Sequence, residues 1–233
     1  KHFDIPKVAA AIKKTEKEIL EHQILRSTLG SNAVIENYFA DLDFVYDAVQ
    51  AKMEWFALTA MSTGTVTLST SNNALGIINE TAIDFGLTSS QKKVVTTATW
   101  SLANYASMLP ITDFKKVMKA GRDAGVKLNY VIMNQEMFDI ITTATEFQNA
   151  AKSFLGITST DILGVESTAL ANRVMANFGL PTIVIADTYV NLQDAAGTNT
   201  ATNPWSTSHL LFTPSLMLGN YLAGPIAEEL EKP

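Results

Sequence analysis

The sequence predicts an α+β fold, and three observations carry that expectation. Apolar residues recur at every third or fourth position through about 30 residues free of proline and glycine, the mark of one long helix. A stretch rich in β-branched residues follows at once, as strands require. Beyond residue 111, helical and extended patterns alternate, which places strands at a centre with helices around them.

The elements follow in chain order. Asp4 is an N-cap candidate with Pro6 in the first turn, and Val8, Ile12, Ile19 and Leu20 give the first helix a loose apolar stripe. Gly30 stops it and Ser31 caps the next. That second helix carries Ile35, Phe39, Leu42, Val45, Val49, Met53, Phe56 and Ala60 on one face. Asp41, Asp43, Asp47, Lys52 and Glu54 mostly fall on the others, and Gly64 closes the helix. About 30 residues at 1.5 Å rise make a rod of roughly 45 Å. A sphere-like domain of this chain length has a radius of gyration of only about 17 Å, so the rod implies a flattened or elongated body.

Thr65 to Ser69 and Gly76 to Phe85 read as a hairpin turning at Ser71-Asn72-Asn73. Val94 to Thr97 is a further strand candidate; Trp100 to Met108 is ambiguous and ends at Pro110. Thr112 opens a helix with Phe114, Val117, Met118 and Gly121 on one side, stopped by Gly125. Leu128 to Met133 reads as a buried strand, and Asn134 caps a helix that turns Met137, Phe138, Ile141 and Phe147 inward. Ala169 to Phe178 is helical up to Gly179, and Pro181 to Ala186 is a second buried strand. Val190 to Thr207 reads as a polar loop, while His209 to Thr213 and Leu216 to Leu218 look extended. The best boundary lies near residue 107, and no internal repeat is found.

Composition bounds the function. A chain of 25.3 kDa exposes about 10,000 Å² when compact and about 37,000 Å² when extended, so it can form a large core without staples. There are no cysteines, which excludes a disulfide scaffold, cysteine–zinc sites, iron–sulfur clusters and a cysteine nucleophile. The formal net charge is −6. The basic runs Lys13-Lys14 to Lys17 and Lys115-Lys116 to Lys119 are interleaved with Glu16, Glu18 and Asp113, and read as solvated helix faces rather than a phosphate-binding patch. Lys13 to Lys17 also interrupts any signal-peptide pattern. Ala195 to Ala227 lacks charge, but its prolines, glycines and hydroxyl residues exclude a membrane span.

Catalytic chemistry is sparse. His2, His22 and His209 share no metal-like spacing with each other or with a carboxylate. No nucleophile elbow, phosphate loop or dinucleotide fingerprint occurs. No catalytic, cofactor-binding or metal-binding residue is assigned. Gly121 and Gly125 form a small-residue pair suited to packing. Asp84 beside Gly86 reads as turn chemistry. Asp187-Thr188-Tyr189 follows a buried strand, where carboxylates serve sites in α/β sheets, though Asp is equally a turn residue there. Asn79-Glu80-Thr81 matches a glycosylation sequon without a secretory signal to give it meaning. Trp55, Trp100 and Trp205 are too scattered for a base-stacking platform, and the eight methionines read as core filler. A chain rich in core formers and poor in catalytic groups suits a protein whose product is shape.

The order of certain strings then points to a family. The long helix ends in Trp55-Phe56-Ala57-Leu58 and Ser62-Thr63-Gly64, and the hairpin ends in Ile83-Asp84-Phe85-Gly86. Trp100 precedes Ile111-Thr112-Asp113-Phe114, and Tyr130-Val131-Ile132-Met133-Asn134 leads to Phe138. Leu180-Pro181-Thr182-Ile183 leads to Asp187-Thr188-Tyr189, and Pro214 to Gly219 precedes Tyr221 and Gly224-Pro225. From Glu36 to Glu229 this series resembles the phage capsid protein E family, the lambda-type major head proteins. No single string is specific; the ordered series is.

The resemblance implies a Hong Kong 97-type phage capsid fold, with a long spine helix, a peripheral sheet and an axial α/β domain. It implies a peripheral domain over 1–106, an axial domain over 107–212 and a C-terminal return over 213–233. It implies a virion structural protein of a tailed phage or prophage, made in the bacterial cytoplasm and not an enzyme. Such a protein self-assembles into capsomers of an icosahedral shell, in loose contact with packaged DNA and without a membrane. Scaffold, protease and portal proteins are the implied partners. An N-terminal arm ahead of Lys1 and a strand beyond Pro233 are expected on the same ground, and the extended loop expected before the spine is replaced by a helical pattern over 6–29. Three alternatives stand beside it: an encapsulin-like compartment shell, an α/β enzyme using Asp187 with Tyr189, and an adhesin-like module suggested by the Thr/Ser-rich strands.

Overall fold

The computed structural model describes residues 16–28, 31–69, 72, 82–95, 98–158, 165, 167–193 and 199–220. Within them the fold is α+β, organised around two separate hydrophobic clusters.

Helix α1 (Glu16–Thr28) leads to α2 (Ser31–Thr63), which is unbroken over 33 residues and therefore spans about 50 Å. Ile19 and Leu20 of the expected stripe are exposed; Asp4, Pro6, Val8, Ile12 and Gly30 lie outside the described residues. Gly64 ends α2 at φ 74°. The positive φ favours glycine, and a Cβ there would stand 2.5 Å from a Leu87 methyl and push that side chain aside. Strand β1 (Thr65–Val66) then pairs antiparallel with β2 (Ile83–Asp84) in the register Thr65↔Asp84. The expected hairpin is therefore present at its base; Ser71, Asn73 and residues 76–81 lie outside the described residues. Asp84 accepts a bond from the Gly86 N–H at 2.9 Å, as a turn residue does.

Val94 and Val95 form no strand and are exposed, with Val94 84% exposed. The ambiguous stretch holds a short 3₁₀ turn at Leu102–Asn104 and ends at Pro110, which itself opens α3 (Pro110–Asp123) two residues before the expected Thr112. Strand β3 (Tyr130–Met133) leads through Asn134, whose Oδ1 accepts from the Met137 N–H at 3.1 Å, into α4 (Gln135–Thr143). The single helix expected here is two: Ala144 has ψ 133° and separates α4 from α5 (Thr145–Leu155). The break has tertiary causes. The Thr145 N–H is drawn to the Tyr105 carbonyl at 2.9 Å, and Glu146 is drawn to α3.

Helix α6 (Thr168–Asn177) and β4 (Thr182–Ile185) follow as expected. The polar loop expected over 190–207 is instead a ribbon of β5 (Val190–Gln193) and β6 (Asn199–Thr202), antiparallel with Val190↔Thr202. Strand β7 (Leu211–Thr213) then completes a three-stranded sheet in the order β4-β3-β7. Strand β4 runs parallel to β3, and β7 antiparallel. Residues 216–218 form no strand and are exposed.

The larger cluster packs α3 to α6 against this sheet through Phe114, Val131, Phe138, Ile141, Phe147 and Met175. The sheet's outer edge at β4 is closed by Asn172 of α6. Its Nδ2 donates to the Ile183 carbonyl at 3.1 Å and its Oδ1 accepts from the Ile183 N–H at 2.7 Å, which blunts an edge that would otherwise invite strand pairing. Glu146 does comparable work for α3. Leu109, the residue before that helix, supplies no side-chain cap, and Glu146 Oε2 instead accepts from the Ile111 N–H at 2.8 Å and the Thr112 N–H at 3.3 Å. The Thr112 hydroxyl donates to the other carboxylate oxygen. An anion at a helix N-terminus is favoured by the exposed N–H groups and by the dipole. Glu146→Ala is expected to lower stability by about 1–2 kcal/mol, read as a lower urea midpoint at unchanged slope, with Glu146→Gln recovering part of the loss. An unchanged midpoint in the alanine variant would remove the clamp.

Candidate functional site

The described residues hold no group of three or more His, Asp or Glu side chains placed to bind a metal ion. They hold no helix long and apolar enough to cross a membrane. Asp187 is exposed and accepts one bond, from Asn203 Nδ2 at 3.2 Å. Tyr189 is 65% exposed, and among the described residues no hydrogen bond joins it to Asp187. His209 meets Ser206 at 2.7 Å through Nδ1, within one exposed turn closed by Trp205 Nε1 donating to the His209 carbonyl at 3.2 Å. Ser–His proximity over three residues in a turn is local turn chemistry, and no carboxylate orients the imidazole. The feature with a built environment is the long helix.

Its buried ridge differs in phase from the expected one. Lys52, Trp55 and Ser62 face inward, while Leu42 on the expected apolar face is exposed and Val45, Val49 and Met53 are half-buried. Trp55 forms the smaller cluster with Val66 and Leu68 from β1 and its continuation, and Val190 from β5; Ala51, Phe56, Ala60, Ile83 and Leu192 pack around them. The Thr59 hydroxyl adds a bond to the Pro204 carbonyl at 3.4 Å. One side of the C-terminal half of α2 is thus laid along two ribbons. Asp43, Tyr46, Asp47, Gln50 and Glu54, off this side, are exposed. Phe44 lies three turns before Trp55 on the same line of the helix, yet is 58% exposed where Trp55 is 7%.

Lys52 is the unexpected member of this site. Its ammonium stands 3.7 Å from the centre of the Trp55 ring and donates to the Asn72 carbonyl. Asn72 in turn bridges its own turn, donating to the Thr67 carbonyl at 3.0 Å and accepting from the Ser69 N–H at 3.0 Å. Ring and carbonyl favour the charged form, but burial wins and lowers the Lys52 pKa from 10.5 to about 8. A lysine depressed on folding costs stability while both states are protonated, and the cost fades as the folded form deprotonates. The wild type is therefore expected to gain stability relative to Lys52→Met as pH rises from 8 towards 10.5. Paired denaturant curves at pH 7 and pH 10 read this; a difference that stays constant or reverses would refute it. No sequence signal announced this burial, since a lysine among Asp and Glu reads as surface.

Similarity to known proteins bears on what this arrangement does. A solved crystal structure of a protein assigned as the capsid protein of an Escherichia coli CFT073 prophage is 17% identical, with a TM-score of 0.36 over 84% of this chain and 51% of that one. The chain thus spans about half the length of that solved relative. No curated protein matches. The family model for phage major capsid protein E matches residues 1–232. That match covers nearly the whole chain, and the chain belongs to the phage major capsid protein E family.

Proposed function

We propose that this chain is a shell-building subunit, which self-assembles into the capsomers of an icosahedral head enclosing phage DNA. The observation that carries this reading is the unbroken 33-residue helix lying on paired strands along one side and exposing Phe44, Tyr46 and a row of acids along its middle. A rod exposed in this way leaves apolar area for neighbouring copies, and a stiff element supported by a sheet suits a wall that must transmit stress.

In this reading the fold is of the Hong Kong 97 type. The peripheral part spans 1–106, the axial part 107–212, and 213–233 returns towards the periphery. Two observations support the division. The larger cluster begins at Met108, and the smaller gathers around α2. The ribbon β5–β6, inside the axial span, reaches across to the spine through Val190 and Leu192. The role is structural rather than enzymatic, in the virion and, before assembly, in the host cytoplasm. Scaffold, protease and portal proteins are the expected partners. The net charge of −6 suits non-adhesive contact with packaged DNA, because it offers no counterion-releasing surface. Neither the cargo-shell alternative nor the Asp187–Tyr189 enzyme gains an observation from the geometry.

Electron microscopy of the intact gene product, co-expressed with the neighbouring scaffold and protease genes, tests the reading. Closed shells or isolated capsomers are expected. A chain that remains strictly monomeric under all such conditions would overturn it.

A further inference from the structure

The side of α2 turned away from Trp55 carries Asp43, Asp47, Gln50 and Glu54 at successive steps of three or four residues, all exposed. Tyr46 and Met53 border them. Along this side runs a groove of about 640 Å³ whose walls, among the described residues, all come from α2. Asp47, Gln50 and Glu54 give it a polar lip, and Met53, Leu58 and Met61 an apolar floor. From Ser27 to Ala51 the chain has no Lys or Arg, and the one basic residue of α2, Lys52, is turned inward to Trp55 and the Asn72 carbonyl rather than to these acids. Among the described residues Asp43, Asp47 and Glu54 take part in no ion pair. The groove is thus acidic and apolar together, which excludes a nucleic-acid backbone as its occupant.

One described segment has the opposite character. Residues 92–95, Lys92-Lys93-Val94-Val95, are exposed and belong to no helix or strand. Among the described residues neither lysine makes an ion pair. Three of the four basic residues of α3, by contrast, are engaged. Lys116 pairs with Asp113 at 3.0 Å, Lys119 with Asp123 at 2.7 Å, and Lys115 stands over the Phe178 ring. In an extended chain Lys92 and Val94 point to one side and Lys93 and Val95 to the other. An ammonium two residues from an apolar side chain, about 7 Å apart, matches a groove whose carboxylates border an apolar floor.

From this complementarity we propose that the 92–95 segment of one copy docks on the outer side of the α2 helix of a neighbouring copy. The contact is heterologous, so it propagates from subunit to subunit as rings and closed shells require. It rests on the shell-building reading and names the partner surface within it.

The absence of cysteine makes the test clean, since any disulfide must join introduced residues. Val94→Cys in one full-length batch and Gln50→Cys in another, mixed under assembly conditions and oxidised, are expected to give a cross-linked dimer. Its yield should be roughly tenfold that of Val94→Cys mixed with Lys119→Cys, because a disulfide forms only where Cβ atoms approach closely. Equal yields overturn the contact, as they do if another segment fills the groove. Charge reversal supplies the second arm. Lys92→Glu with Lys93→Glu should reduce assembly roughly tenfold, Asp47→Lys with Glu54→Lys likewise, and all four substitutions in one chain should restore it. All four positions are exposed, and unchanged circular dichroism and melting separate lost docking from lost folding. Wild-type shells that survive each reversal at full yield overturn the contact and leave the capsid reading intact. A wild-type chain that never assembles overturns both.

Discussion

Phe114→Ala is expected to cost about 3–5 kcal/mol, the range for emptying a large aromatic site in a packed core. The ring is 1% exposed and sits between two others, edge-on to Trp100 at 5.7 Å and to Phe212 at 5.3 Å. Those contacts join three pieces of chain: the segment before α3, α3 itself and β7 of the sheet. Trp100 is tied a second time, its Nε1 donating to Asp113 at 3.3 Å. Deleting the ring removes its transfer energy and both edge contacts, each worth about 0.5–1.5 kcal/mol, and leaves a void that Trp100 cannot fill without breaking its bond. Total stability of a domain is about 5–15 kcal/mol, so the variant sits near the threshold of folding. Urea unfolding should show a much lower midpoint at an unchanged slope. A loss below about 1 kcal/mol would mean that the site collapses freely and that the aromatic chain is incidental. Phe114→Leu should recover more than half of the loss, since it restores most of the volume.

Several elements were legible before any coordinates because their causes are local. Asn134 offers a side-chain oxygen to the first turn of α4, and Gly125 and Gly179 take positive φ of 74° and 65° at the ends of α3 and α6. The spine needed only uninterrupted period and the absence of Gly and Pro. Its phase was not legible. Leu42, Phe44, Val45, Tyr46, Val49, Met53, Trp55 and Phe56 place apolar groups on every side, and only contact with β1 and β5 selects Trp55, with Lys52 beside it, as the inward ridge. The gap between α4 and α5 has no Gly or Pro to mark it. It follows from bonds to Tyr105 and to the start of α3, some 35 residues away in the chain. The ribbon at 190–202 carries Val and Leu at alternate positions of β5, but its Asn and Thr content outweighed two apolar residues. Val94-Val95 misled in the opposite direction, since β-branched residues make a strand only where a partner strand is in reach.

The mechanical role of the spine gives the second large effect. Ala48→Pro, near the middle of α2, removes one backbone hydrogen bond and sets the ring against the carbonyl of Phe44, at a cost of about 3 kcal/mol or more. The damage stays local. The larger cluster is built from residues 108–183 and includes nothing from α2, so its cooperative melting should stay within about 1 kcal/mol of wild type. Helical circular dichroism should fall by about the two turns around the break, and the rod of about 50 Å becomes two hinged pieces. A subunit whose copies register along a straight rod cannot tile with a bent one, so shells and capsomers should disappear while folded monomer remains. Ala48→Ser, which lowers helix propensity by only about 0.5 kcal/mol, should assemble normally. Shells formed by the proline variant at wild-type yield would mean that the rod's straightness has no part in assembly. The surfaces that join the copies would then have to be sought on the helices around the larger cluster, where Phe154, Leu155 and Ile157 stand exposed at the end of α5.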